Sequence, residues 1–147
     1  GRPLAIRVVP LGRPLDDAAA VTLEASLGLE AKRPLAPVHL QARFSPDGDC
    51  LFRWVRRARF GGDNWAAEEV PLGEEREAYR ITIRAGSANA GPAILAETSE
   101  PRFVLRASEQ IAAFGGLAGR LSLSVSQVSA VWGAGAEAWR LFARPAA

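Results

Sequence analysis

The chain has 147 residues, 48% of them hydrophobic, and a formal net charge of +2. That length suits one domain, or one domain with part of a neighbour, and the apolar fraction is enough for a sizeable core. No apolar run approaches the roughly 20 residues a membrane-spanning helix needs, so a helical span is excluded.

The N-terminus, GRPLAIRVVP, lacks the apolar stretch of a secretory signal and is expected to be an internal segment of a longer protein. Lys32 is the only lysine, so nearly all the positive charge is arginine. Cys50 is the only cysteine, which rules out an internal disulfide and points to a structural thiol at a strand start. A single histidine, His39, cannot build a Cys/His metal cluster and is expected to point outward from a strand.

In chain order, residues 4–9 (LAIRVV) read as a short strand ended by Pro10, followed by turn chemistry at Gly12, Pro14, Asp16 and Asp17. Residues 20–27 alternate Val21, Leu23 and Ala25 with polar neighbours, the period of a strand with one buried face. Two strands rarely hold together alone in water. Residues 1–33 are therefore expected to be a β-arm or the end of a preceding domain. Lys32 to Pro37 reads as a proline-stiffened linker.

Residues 34–147 carry strands at sandwich spacing. Val38, Leu40 and Ala42 alternate before the turn Ser45–Asp49; Phe52 and Trp54 point one way and Arg53, Val55 and Arg57 the other. A long loop over 61–77 holds Asp63, Asn64 and Trp65, with its acidic residues following an arginine block at Arg53, Arg56, Arg57 and Arg59. Tyr79, Ile81 and Ile83 line one face of the next strand. Short strands are predicted at 94–98 and 102–106. A single helical turn follows at 108–114, with Ser108 as its N-cap and Gly115-Gly116 closing it. Leu121, Leu123 and Val125 alternate strictly with serines, and this strand is expected to run on through Val128 into residues 130–135. Trp139, Leu141 and Phe142 mark the last strand.

Seven strands, no long helix and a tryptophan in the second strand predict an all-β, immunoglobulin-like or fibronectin type III-like sandwich. Trp54, Tyr79, Ile81, Leu123 and Val125 are its expected core. Trp65 and Trp132 sit in or beside loops, where exposed indoles mark contact surfaces. They are the candidate binding residues, with Asp63 and Asn64. The glycine pairs lack the flanking residues of phosphate-binding or dinucleotide-binding loops. The glutamates at 68, 69, 74, 75 and 77 read as a solvated loop, neither a cation site nor a glycosidase pair. No enzymatic activity, metal or cofactor is expected, and no direct nucleic-acid binding, because the arginine run has no interleaved aromatics.

Two resemblances extend this reading. Trp54, then Tyr79-Arg80-Ile81-Thr82-Ile83, then Leu121 to Ser129 with Gly133 and Gly135 resembles the second, third and sixth strands of fibronectin type III domains. Those domains usually carry a corner-pinning tyrosine where this chain has Leu121. The segments RVVPLGRPLDD, RPLAPVHLQAR, FRWVRRARFGGDNW, EEVPLGEEREAYRITI and SVSQVSAVWGAG together resemble the C-terminal part of the large tail-tip protein of gene transfer agents and related siphophages. That baseplate hub component, also called the megatron protein, has a TIM-barrel-like domain upstream. This second resemblance implies a virion structural protein at the tail tip of a DNA-delivering particle. It implies other tail-tip and baseplate subunits as partners, a homotrimer being one arrangement, and contact with the host envelope in attachment. It carries over no catalytic residue. A different reading of the same residues is a carbohydrate-binding accessory domain that stacks a bacterial surface glycan on Trp65 and Trp132.

Overall fold

The computed structural model describes residues 3–26, 32–59, 71–87 and 91–145. They fall into two compact units, Gly1–Lys32 and Arg33–Ala147.

The first unit is an antiparallel hairpin of β1 (Pro3–Val8) and β2 (Val21–Ser26). Its register pairs Leu4 with Ala25, Ile6 with Leu23 and Val8 with Val21. Residues directly opposite share a face, so these six apolar side chains lie together and Arg7, Thr22 and Glu24 lie on the other side. The connection is built from the turn residues the sequence supplies. The Asp17 carboxylate accepts the Ala19 N–H at 2.8 Å, and the Pro10, Pro14 and Asp17 carbonyls each accept a turn N–H.

The second unit holds β3 (Val38–Phe44), β4 (Cys50–Val55), β5 (Tyr79–Ala85), β6 (Ala93–Thr98), β7 (Arg102–Leu105), α1 (Ala107–Phe114), β8 (Arg120–Ser129) and β9 (Gly133–Ala143). A three-stranded sheet, β3-β4-β7, packs over a four-stranded one, β6-β5-β8-β9, with every pairing antiparallel. The all-β sandwich expected from the strand spacing is the observed fold.

Period-two alternation decides what goes inside. Along β5, Tyr79, Ile81 and Ile83 are buried while Arg80, Thr82 and Arg84 face out. From β8, Leu121, Leu123 and Val125 are wholly buried, and from the other sheet Phe52, Trp54 and Leu105 meet them. Each such side chain contributes about 1.5–3 kcal/mol over leaving it in water. Two aromatic contacts bridge the layers: Phe52 with Phe142 at 5.8 Å between ring centroids, and Trp54 edge-on to Tyr79 at 5.2 Å.

Three local expectations are corrected. The helix has eight residues and starts at Ala107, with Arg106 rather than Ser108 at its N-cap. The capping groups come from elsewhere: Asp49, far back in the chain, accepts the Ala107 N–H at 2.8 Å, and Glu109 accepts the Arg106 N–H at 2.7 Å. A tertiary carboxylate has displaced the local serine signal. Second, β8 stops at Ser129. The Ser129 hydroxyl accepts the N–H groups of Val131 and Trp132, each at 3.3 Å. Residues 130–132 therefore turn, and Gly133, at φ 76°, opens β9. Third, residues 34–37 are no free linker. Pro34 and Pro37 are buried, and the Pro34 carbonyl accepts the Ala136 N–H at 3.1 Å, extending the β9 edge.

Gly135 is what allows that last approach. A Cβ there would lie 2.3 Å from the Pro34 oxygen, closer than any side chain tolerates. Gly135→Ala is expected to push residues 34–37 off β9 while the sandwich still folds. Hydrogen exchange should show the Ala136 amide losing its protection, and urea unfolding should show a loss of at least the ~0.5–1.5 kcal/mol of one hydrogen bond.

Candidate functional site

Of the residues singled out from the sequence, Asp63, Asn64 and Trp65 lie outside the described residues. Trp132 sits half-buried in the β8–β9 turn, its backbone N–H held by Ser129. Trp54, Tyr79, Ile81, Leu123 and Val125 lie within the core between the sheets.

Near Trp54, at one end of the sandwich, the described residues include three engaged carboxylates, Glu74, Glu75 and Glu77. Arg59 and Glu74 form an ion pair at 2.7 Å, with the Glu74 side chain only 3% exposed. Glu77 accepts the Tyr79 hydroxyl at 2.6 Å. Burial first, and then that acceptor, raise the Tyr79 phenol far above its ordinary range, so it stays protonated. Glu75 accepts from the Ser129 hydroxyl at 3.3 Å and from the Ala130 N–H at 3.2 Å. Its own backbone N–H, ahead of these donors, holds its carboxyl below the usual value. A carboxylate held ionised by donors is a poor general base, so this cluster ties loop to strand.

The opposite end is closed around the Gly48 carbonyl. Gln110, fully buried on α1, donates to it at 2.8 Å, and Arg144 donates at 3.1 Å. Arg144 also donates to Gln110 Oε1 at 2.9 Å and to the Ala118 carbonyl at 3.3 Å, with its guanidinium 4.7 Å from the Phe44 ring centroid. A hollow of about 540 Å³ lies beside it, lined by Phe44, Ser45, Pro46, Leu117, Arg144 and Pro145. The hollow presents no free acid or base. Among the described residues, no group of three or more His, Cys, Asp or Glu side chains could hold a metal.

What remains are the two outer faces. On the four-stranded sheet the register aligns Leu95, Thr82, Ser124 and Trp139 in one row, and Ala93, Arg84, Ser122 and Leu141 in the next. Trp139 is 63% exposed and Leu95 73%. Sequence reasoning placed Trp139 in the last strand without assigning its face. The signal was the alternation itself: Ala138 and Phe142 pair with core residues of β8, so Trp139 and Leu141 must point outward. On the three-stranded sheet the outward residues are Gln41, Arg43, Arg53 and Arg102 together with Leu51, Val55 and Val104.

No family model matches the chain, and no curated protein matches it. Among solved structures, it resembles domains d3-d4 of the rat CD45 extracellular region at a TM-score of 0.51 and 9% identity, covering 96% of this chain and 64% of that one. It resembles a human fourth fibronectin type III domain at a TM-score of 0.51 and 15% identity, covering 78% of this chain and 82% of that one. The chain thus spans less than two thirds of the CD45 structure. At these identities the likeness shows the fold: a fibronectin type III-like sandwich, matching the strand resemblance read from Trp54, Tyr79 and the Leu121 strand.

Two outcomes follow from this chemistry. Cys50 is wholly buried, and desolvation pushes its thiol up to about 12. It should stay unreactive toward a thiol-specific disulfide reagent at pH 8 and titrate fully once the chain is unfolded in guanidinium. Asp49 has its carboxyl held below the usual range by the Ala107 N–H and then by Arg106. A depressed folded value stabilises above the unfolded carboxylate value near ~3.9 and is lost as pH falls through the folded one. Asp49→Asn should be less stable than wild type at pH 7. The gap should narrow as pH drops below about 4, as read from urea midpoints across a pH series.

Proposed function

We propose that this chain is a structural and interaction module in the tail tip of a phage-like or gene transfer agent particle. There it acts within the baseplate hub, joining subunits or meeting the host envelope during DNA delivery. The five ordered segments that resemble the large tail-tip protein support the setting. The observation that carries the role is the outer face of the four-stranded sheet. It exposes Trp139 together with Leu95 and Leu141, the last 38% exposed, on a sheet of paired strands. An exposed indole on a sheet has the character of a contact anchor: large, amphipathic and with little side-chain entropy to lose.

Glu74, Glu75, Glu77 and Arg144, at the ends of the sandwich, are spent on hydrogen bonds and ion pairs, which favours recognition over chemistry as the role of this domain. Neighbouring tail-tip subunits are the partners this reading assigns, and the virion is its location.

Antibody raised against this chain should decorate the tail tip of intact particles in negative-stain images; label confined to the capsid or absent from particles would overturn the assignment. Trp139→Glu should leave the unfolding free energy within about 0.5 kcal/mol of wild type, as expected of a surface change. It should also reduce co-purification with the tail-tip subunits at least tenfold. Unchanged co-purification would remove Trp139 from the contact.

A further inference from the structure

The outer face of the three-stranded sheet carries an arrangement that the contact reading does not use. Gln41 lies opposite Arg53, and Arg53 lies opposite Arg102, so three strands present a continuous row; Arg43, Leu51 and Val104 form the next row. Arg43 is a diagonal neighbour of Arg53, within reach of long side chains. Arg43, Arg53 and Arg102 are all exposed. Arg102 is paired with Glu100, whereas Arg43 and Arg53 make no hydrogen bond or ion pair among the described residues. Between them is a shallow depression of about 250 Å³, lined by Gln41, Ala42, Arg43, Leu51 and Arg53.

Like charges placed directly across a strand pair are destabilising. Here Arg53 and Arg102 face each other, with Arg43 on the diagonal and Glu100 as the carboxylate paired among them. An anion seated between the free guanidinia would relieve that repulsion and gain forked, charge-assisted hydrogen bonds. The Gln41 amide adds a neutral donor beside them.

Size and chemistry narrow the ligand. The depression is smaller than the ~300–1,000 Å³ of sites that enclose a drug-sized molecule, so it fits one anionic group rather than a whole small ligand. None of the outward residues of these rows is aromatic, which removes the stacking that single-stranded nucleic acid uses. An open, cationic face suits a hydrated polymer that repeats its charge. We propose that this face binds the phosphate or carboxylate groups of an anionic polysaccharide, one group seated between Arg43 and Arg53 and the next reaching Arg102. The proposal does not rest on the tail-tip reading, and its test is independent of where antibodies label a particle.

The test titrates the full chain onto immobilised polygalacturonate, which carries carboxylates, and onto a phosphomannan, which carries phosphodiesters, across a salt series. Dextran serves as the neutral polymer, and polyglutamate and single-stranded DNA as the competing classes. Binding is expected to one or both anionic polysaccharides, tighter than to the other three. The pair Arg43→Ala/Arg53→Ala should weaken it at least tenfold and reduce the salt slope of log K by about two, one per cation removed. That variant should unfold at the wild-type midpoint or above it, because the repulsion with Arg102 is gone. The control pair Arg80→Ala/Arg120→Ala removes the same charge from the other sheet and should change affinity less than twofold. The proposal is overturned by no binding to either polysaccharide or equal binding to dextran. An equal loss in the control pair, or a preference for polyglutamate or DNA, overturns it as well.

Discussion

The outer face of the four-stranded sheet depends on the register between β5 and β8. Seven consecutive pairs, from Tyr79 with Gln127 to Ala85 with Leu121, run without a bulge. Side chains alternate faces along a strand, so a slip of one residue would bring Arg80, Thr82 and Arg84 inward and put Ile81 and Ile83 in water. Burying three residues of that kind without partners would cost more than the whole margin by which a small domain is stable. The register is thus fixed by the core, and it fixes in turn which residues of β6 and β9 are displayed. Trp139 is on the outside because Leu123 and Val125 are on the inside.

A sandwich so defined still has to be closed at its ends, and the two ends are closed differently from what the strand pattern alone would give. Fibronectin type III domains usually pin a corner with a tyrosine at the start of the sixth strand; here that position is Leu121, wholly buried. The eight-residue helix α1 stands before that strand, and its buried Gln110 and the distant Arg144 converge on the Gly48 carbonyl. Gly48 itself sits at φ 92°, and a Cβ there would meet Leu117 at 2.9 Å, so the carbonyl can be presented only by glycine. A side-chain network from three distant points in the chain replaces one phenol hydroxyl. Such a network is worth having only when every member is satisfied, and at this corner the Gln110 amide and the Arg144 guanidinium both find partners.

The strands were legible in the sequence because alternation is a local signal. Leu121 to Ser126 and Tyr79 to Ile83 declare their faces without reference to anything else. What the sequence hid was whatever depended on residues far apart. The helix start was misplaced because Asp49, some sixty positions upstream, caps it, while Ser108 offered a plausible local substitute. The apparent linker over residues 32–37 reads as a spacer by its prolines, yet Gly135 lets the Pro34 carbonyl join β9. Loop position drew attention to Trp132, which is half-buried, while Trp139, on a regular strand, is exposed. Loop membership is weak evidence of exposure when a turn is folded back by its own serine.

The two outer faces of the sandwich differ in what they offer a partner. The four-stranded sheet shows an indole and leucines among serine and threonine hydroxyls, with Arg80 already opposed to Glu97 at 3.6 Å. What it offers a partner is chiefly shape and apolar area, which reward a rigid, complementary surface. The three-stranded sheet shows arginines whose balance is incomplete, and its attraction acts at longer range and weakens with salt. A chain with a net charge of only +2 has little overall field. Local segregation of charge, set by which strand faces outward where, therefore matters more than the total, and it is again the buried register that does the segregating.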